Sequence, residues 1–235
     1  MGTNSDDADA AGRLRQADLD ADAAARGGLY ALLARAFEHP DEAFYEALAD
    51  ADLREQVESL VERTPLSVPV ESLDTDDDFD TLCARYNDVF VLGYAEYEDR
   101  TDGSLSTDEP PVPLYESAYR PNASWNDVNL DLARAYDYYG LQPDESDREH
   151  HDHLRLQLEF AGYLARREAA FDGDDDAIAR FDFLDRHLRI LVEGVVERTR
   201  DEPNTGAYGQ FAELLDAFTA ADRRDLAARL DGGPP

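Results

Sequence analysis

The chain has 235 residues, 43% hydrophobic and 10% aromatic, enough to bury a core and too apolar for a wholly disordered protein. Its 54 Asp and Glu stand against 22 basic residues, all of them arginine, for a formal net charge of -32. That balance disfavours direct nucleic-acid binding, which needs clustered Lys and Arg, and the single cysteine, Cys83, excludes an intrachain disulfide and the usual thiolate metal sites.

Acidity of this degree without lysine resembles the proteins of extreme halophiles. In molar salt the Debye length falls to about 3 Å, which screens self-repulsion while hydrated carboxylates keep the protein soluble. No segment approaches the roughly 20 apolar residues that span a bilayer, and the N-terminal stretch lacks the apolar run of a signal peptide. A cytoplasmic, reduced protein without stable membrane insertion is expected.

Residues 1–18 are expected to be a disordered acidic tail, followed by one helical domain over 19–230. Leu29, Leu32, Leu33, Ala36 and Phe37 recur at helical spacing and stop at His39-Pro40. Phe44, Leu48, Leu53, Val57, Leu60 and Val61 continue the pattern to Pro65, which predicts an opening helical pair. After a proline-bearing, acidic loop over 64–78, Phe79, Leu82, Tyr86, Val89 and Phe90 predict a third helix ended by Gly93. Residues 96–113 turn to Asp, Gly, Ser, Thr and Pro, the composition of a long surface loop.

The loop delivers the chain to Pro113-Leu114-Tyr115-Glu116-Ser117-Ala118-Tyr119. Ser124-Trp125-Asn126-Asp127 then has capping-box spacing and opens a helix through Val128, Leu132, Ala135, Tyr136 and Tyr139, closed by Gly140. Ser146 to Glu149 repeats the capping signal. Residues 177–196 and 207–218 read as helices, with turns at Asp172-Gly173-Asp174 and Glu202-Pro203-Asn204. There is no strand alternation and no repeat of fixed period, so the predicted class is all-α.

Chemistry concentrates in Glu149-His150-His151-Asp152-His153, at the head of the most apolar helical stretch. At 100° per residue, Leu158, Ala161 and Ala165 share one face, Leu156, Phe160, Tyr163 and Leu164 another, and Arg155, Glu159, Gly162 and Arg166 form a polar stripe. His153 and Gln157 fall among the apolar positions. A buried polar group without a partner costs roughly 1–3 kcal/mol, so His153 must have one. Asp152 is placed to accept backbone N–H groups at the helix start.

By themselves these residues fit a capping aspartate and a core histidine as well as a binding site. The pairs Glu149/His153 and Asp147/His151 point in different directions around the axis, and no His-Glu-x-x-His is present, so no metal is expected. His151-Asp152 invites comparison with helical HD-type phosphohydrolases, but the upstream histidine such a site needs is missing. Asp172, Asp174 and Asp176 begin like a calcium loop, yet Ala177 and Phe183 occupy its glycine and glutamate positions. Nucleophile elbows and phosphate-binding loops are absent, which favours a binding protein over an enzyme. Tyr115 and Tyr119, at i and i+4, would share a face if a helix began there; the alternative is that they plug the bundle while Glu116 caps it.

The order Pro-x-Tyr-Glu-Ser-x-Tyr, a tyrosine-ended helix with Gly140-Leu141, and Glu-x-x-Asp-His-Leu leading into Leu156-Gln157-Leu158-Glu159-Phe160 resembles the TorD/DmsD/NarJ family of redox-enzyme maturation chaperones. So do residues 29–37 followed by Pro40, and Phe183-Leu184-Asp185-Arg186-His187-Leu188. The resemblance covers residues 26–220. It departs at His150, which stands where the family's signature has proline, and in lacking a tryptophan near Ile190 and Leu191.

The resemblance implies a single-domain, all-α TorD-like bundle with a long mid-chain loop, no enzymatic activity and no cofactor of its own. The implied partner is the precursor of a molybdopterin oxidoreductase, such as a dimethyl sulfoxide, trimethylamine N-oxide or nitrate reductase, gripped at its twin-arginine leader or in its apo-form. It implies a client site of Tyr115, Glu116, Tyr119, Glu149, Asp152, His153, Leu156 and Phe160. Two guanidiniums beside a short apolar stretch call for carboxylates next to an apolar groove, which Asp152 and Glu116 with Leu156, Phe160 and Tyr119 supply. A metal-dependent hydrolase using His151 and Asp152, and a helical scaffold for another partner, are the alternatives. The 96–113 loop is long enough for domain swapping into a homodimer.

Overall fold

The computed structural model describes residues 19–70, 72–91, 110–142 and 150–232. The expected tail at 1–18, Gly93, residues 96–109 of the long loop and the capping signal at 146–149 lie outside them. Among the described residues the secondary structure is helical, apart from one isolated antiparallel bridge between Tyr115 and His153. No helix among them is long and apolar enough to cross a membrane.

Helix α1, Ala21–Ala36, starts where Asp20 accepts the N–H groups of Asp22 and Ala23 at 2.9 and 3.1 Å, satisfying donors that the first turn leaves free. It ends at Phe37, ahead of Pro40. The pattern that predicts one helix through residue 61 is divided in two: α2, Glu42–Ala49, capped by Asp41, and α3, Asp52–Glu62. Ala51 between them is left-handed, at φ 64°, and the turn sends Phe44 and Leu48 as well as Leu53 and Val57 into the core. Helix α4, Phe79–Tyr86, continues as a π-turn, Asn87–Val91.

After the 3₁₀ turn Glu116–Tyr119 come α5, Trp125–Tyr138, with Ser124 as its cap, and α6, Leu154–Ala170. Residues 177–196, predicted as one helix, form α7, Asp175–Phe183, a π-turn, Leu184–Leu188, and α8, Arg189–Asp201. The wider turn shifts the helical register so that Leu184, His187 and Leu188 are all buried. Helix α9, Ala207–Asp231, completes the bundle.

Helix α6 is central, as its wheel predicts, and α1 lies closest along it. The close approach depends on two glycines. A Cβ on Gly27 would meet the Arg166 side chain at 2.8 Å, and one on Gly162 would meet Tyr30 Cβ at 3.0 Å. Gly162 is therefore buried packing surface and not part of a polar stripe, and Arg155, also assigned to that stripe, is buried with its guanidinium 2.9 Å from Glu159.

A buried ion network joins the two ends of the chain. Arg26 of α1 and Arg180 of α7 donate to the Asp222 carboxylate of α9 at 2.7 and 2.6 Å, the Tyr30 hydroxyl adds a third donor at 2.6 Å, and Arg180 reaches Glu168 at 2.6 Å. All four of Arg26, Tyr30, Arg180 and Asp222 are inaccessible to solvent. Burial pushes the Asp222 carboxyl up, but the charges of Arg180 and Arg26 outweigh it and hold the group below the ordinary carboxylate range. Periodicity does not reveal such a network, because each member alone looks like a surface charge.

Candidate functional site

The 113–119 segment and the head of α6 are laced together by backbone. Leu154 N–H donates to the Leu114 carbonyl at 2.8 Å, and Glu116 N–H donates to the Asp152 carbonyl at 3.0 Å. These bonds make the Tyr115 to His153 bridge, an extended pairing that an all-helical reading of the sequence missed.

The carboxylate of Asp152 does not cap α6. Its Oδ2 accepts the N–H of Ser117 at 3.1 Å, so it fastens the 3₁₀ turn instead. The N-cap of α6 is His153, whose Nδ1 accepts the N–H of Arg155 at 3.2 Å. His153 is buried and does have the partner its position requires. The reason that His153 and not Asp152 is the cap is geometric: Asp152 is already turned toward the neighbouring segment by the backbone bridge.

Glu116 is fully buried and is the hub of the site. Gln157 Nε2 donates to its Oε2 at 2.7 Å, His187 Nδ1 stands 3.2 Å from both carboxylate oxygens, and Arg120 Nε donates to Oε1. The other ring nitrogen of His187 lies 3.3 Å from Asp131 on α5. Charge-assisted bonds of this kind are the stronger ones, and a low dielectric strengthens them further. Two acceptors beside the hub, Asp152 Oδ1 and Gln157 Oε1, are buried and find no donor among the described residues.

Tyr115 and Tyr119 do not share a helical face. Tyr115 precedes the 3₁₀ turn and sets its ring against His153, centroids 4.9 Å apart. Tyr119 turns the other way, donates from its hydroxyl to the Pro113 carbonyl at 2.8 Å, and lies under Arg198. Its ring rests on the backbone of α8 at Gly194, where an added Cβ would come within 2.1 Å of Cδ1.

Leu156 and Phe160 are buried, at 7% and 5% exposure, and both line a cavity of about 290 Å³ with Tyr136, Leu141, Tyr163 and the charged Glu159 and Arg166. The Tyr136 hydroxyl donates to the His151 carbonyl at 3.0 Å. Burial, and then the negative charges of Glu116 and Asp152, push its phenol well above the ordinary value. Glu149 lies outside the described residues. Of the candidate residues, then, Glu116, Asp152 and His153 form one buried framework, Leu156 and Phe160 face a cavity beside it, and the two tyrosines diverge.

His187 is the residue that residue-level reasoning did not place at the site. Its only signal was the Phe-Leu-x-x-His-Leu segment, far from Glu116 in the chain. His151 stacks on Tyr136, with ring centroids 6.0 Å apart, and no group of three or more His, Cys, Asp or Glu able to hold a metal is assembled among the described residues.

Residues 46–192, which hold both site segments and His187, match the family model of the nitrate reductase delta subunit. The chain belongs to that family. This delta-subunit relative is 34% identical to the selenate reductase assembly chaperone protein of Thauera selenatis over 63% of its own length and 71% of the other's. It is 29% identical to the chlorate reductase assembly chaperone protein of Ideonella dechloratans over the same shares. A solved structure from Archaeoglobus fulgidus, described as a redox enzyme maturation protein, superposes with a TM-score of 0.46 at 19% identity, covering 83% of this chain and 93% of that one.

Proposed function

We propose that the protein is an assembly chaperone that holds the precursor of a molybdopterin oxidoreductase during cofactor insertion. Its relatives named as assembly chaperones for selenate and chlorate reductase carry this reading, within a family match that spans both site segments. The site supports it physically. A buried polar framework of Glu116, Asp152 and Gln157 lies beside a cavity lined by Leu156 and Phe160 together with Glu159 and Arg166, an arrangement suited to holding a segment with apolar side chains and charged or N–H groups.

In the finer reading, the client segment is a twin-arginine leader or an apo-subunit, met in the cytoplasm. Leu156 and Phe160 contact it, Tyr115 shapes the rim from its place against His153, Tyr119 anchors the turn on α8, and Glu116, Asp152 and His153 hold the backbone that presents them. A domain-swapped homodimer and a single domain over 19–230 belong to the same proposal. The hydrolase alternative gains nothing from the geometry, since Asp152 is engaged with Ser117 and His151 with Tyr136.

The test is affinity capture of the tagged full-length protein from its own cells at high salt, with mass spectrometry of what co-purifies. Recovery of a molybdopterin-dependent catalytic subunit supports the proposal and names the client. Absence of such a subunit from cells that express the reductases refutes it.

A further inference from the structure

Trp125 is the only tryptophan of the chain, and it stands at the first position of α5, 48% exposed. It is not a stray surface residue. His150 meets its indole at 5.0 Å, the same imidazole faces Tyr115 at 6.2 Å, and Tyr115 packs on His153 at 4.9 Å. A row of rings thus runs from solvent to the buried head of α6. It depends on His150, the position at which the chain departs from the family's proline, because proline has no aromatic edge to set against the indole. The neighbouring His151 stacks on Tyr136, which lines the cleft at Leu156 and Phe160, so the rings continue the surface that the cleft begins.

The chain covers other aromatic faces with its own arginines. Arg35 lies over Phe44 at 5.2 Å, Arg167 over Phe171 at 4.9 Å, Arg198 over Tyr119 at 5.5 Å and Arg223 over Phe181 at 5.8 Å. Phe171 is covered in this way although it is 59% exposed. Indole is the best of the aromatic faces for a cation, yet among the described residues no arginine lies over Trp125.

Acceptors beside the indole are also unanswered. Asp127, two positions on, is exposed and makes no ion pair among the described residues. Asn129, 8% exposed, donates from Nδ2 to the Trp125 carbonyl at 3.1 Å, while its Oδ1 finds no donor among them. A guanidinium brings a flat cation for the ring face and N–H groups in its own plane for acceptors at the edge. On a chain of net charge -32, a cation is also the group drawn to the surface.

We propose that Trp125 is the platform on which an arginine of the client's twin-arginine leader stacks, with Asp127 at the edge of the guanidinium. That the arginine belongs to such a leader rests on the chaperone reading; that the platform takes a guanidinium does not.

The single tryptophan makes the site its own reporter. The end-blocked peptide Ala-Arg-Arg-Ala-Leu-Leu-Ala is titrated into the full-length protein while the tryptophan emission is followed. A saturable change is expected, with Lys-Lys or Leu-Leu in place of Arg-Arg binding about fivefold or more weakly, since an ammonium stacks less well and an alkyl group carries no charge. No change in emission, or equal affinity for the three peptides, overturns the platform. With a fluorescein-labelled peptide and anisotropy as the readout, Trp125→Leu should bind about fivefold or more weakly and Trp125→Phe should recover part of the loss, both melting with the parent protein. Unchanged affinity of Trp125→Leu overturns the platform.

Capture of the co-expressed reductase precursor separates this inference from the reading it rests on. Equal capture by the parent and by Trp125→Leu overturns the platform and leaves the chaperone reading standing. Failure of the parent to capture any precursor, with the peptide results as expected, refutes the chaperone reading and leaves the platform.

Discussion

The Glu116 carboxylate lies 3.2 Å from Nδ1 of His187, across 71 positions of sequence, and through it the 3₁₀ turn, α6 and the π-turn before α8 become one unit. Glu116→Ala leaves Gln157, His187 and Arg120 facing an empty buried space. We expect it to lower stability by about 3 kcal/mol, the cost of breaking a buried charged network. Urea denaturation at constant salt checks this; a loss within about 0.5 kcal/mol, the range of an ordinary surface change, contradicts the hub.

Asp222 is expected to dominate the acid limb of stability among the buried groups. Its folded carboxyl lies below the ordinary range because of Arg180 and Arg26. The contribution is therefore complete above the unfolded value of about 3.9 and is lost as pH falls through the lower folded value. Asp222→Asn removes the carboxylate that two buried guanidiniums share, leaving Arg26 with Asp22 and Asp225 and Arg180 with Glu168, and should cost about 3 kcal/mol at neutral pH. Melting curves of both proteins from neutral to strongly acidic pH should begin to approach each other below about pH 4 and meet only under the lower folded value. Parallel curves throughout that range count against the assignment.

Tyr119 and Gly194 are expected to be coupled. Gly194→Ala places a methyl inside the ring of Tyr119 and should cost about 1–3 kcal/mol as the turn is pushed off α8. Tyr119→Ala removes the obstacle, so the double variant should be more stable than the sum of the single effects allows. Strict additivity in thermal denaturation shows that the ring does not sit on α8.

Alkaline titration should occur in two stages. Tyr30, Tyr136 and Tyr208 are raised chiefly by burial, with the negative charge of Asp222 acting on Tyr30 and those of Glu116 and Asp152 on Tyr136. Exposed phenols ionise near pH 10, while these three stay neutral in the folded chain. Their contribution to stability is complete below about pH 10 and is lost as pH rises toward the folded values. Tyrosinate absorbance should therefore rise in a first step, then in a second that coincides with loss of helical circular dichroism. A single step completed with helicity intact refutes the burial of all three.

The helical class, the central place of α6, the cap at Ser124 and the stop before Pro40 were legible in the sequence. They depend on local chemistry: apolar spacing, side-chain oxygens beside free N–H groups, and the missing N–H of proline. The two site segments were legible by resemblance. What each candidate residue does was decided by tertiary structure. Asp152 holds Ser117 and not its own helix because the Leu114 and Leu154 backbones pair; His187 joins Glu116 because a π-turn rotates it inward; Arg26 and Arg180 are buried because Asp222 meets them from the far end of the chain. A local pattern reports which face of an element is apolar, but the partner of a buried polar group lies wherever the chain returns in space, and one sequence holds no periodic signal for that.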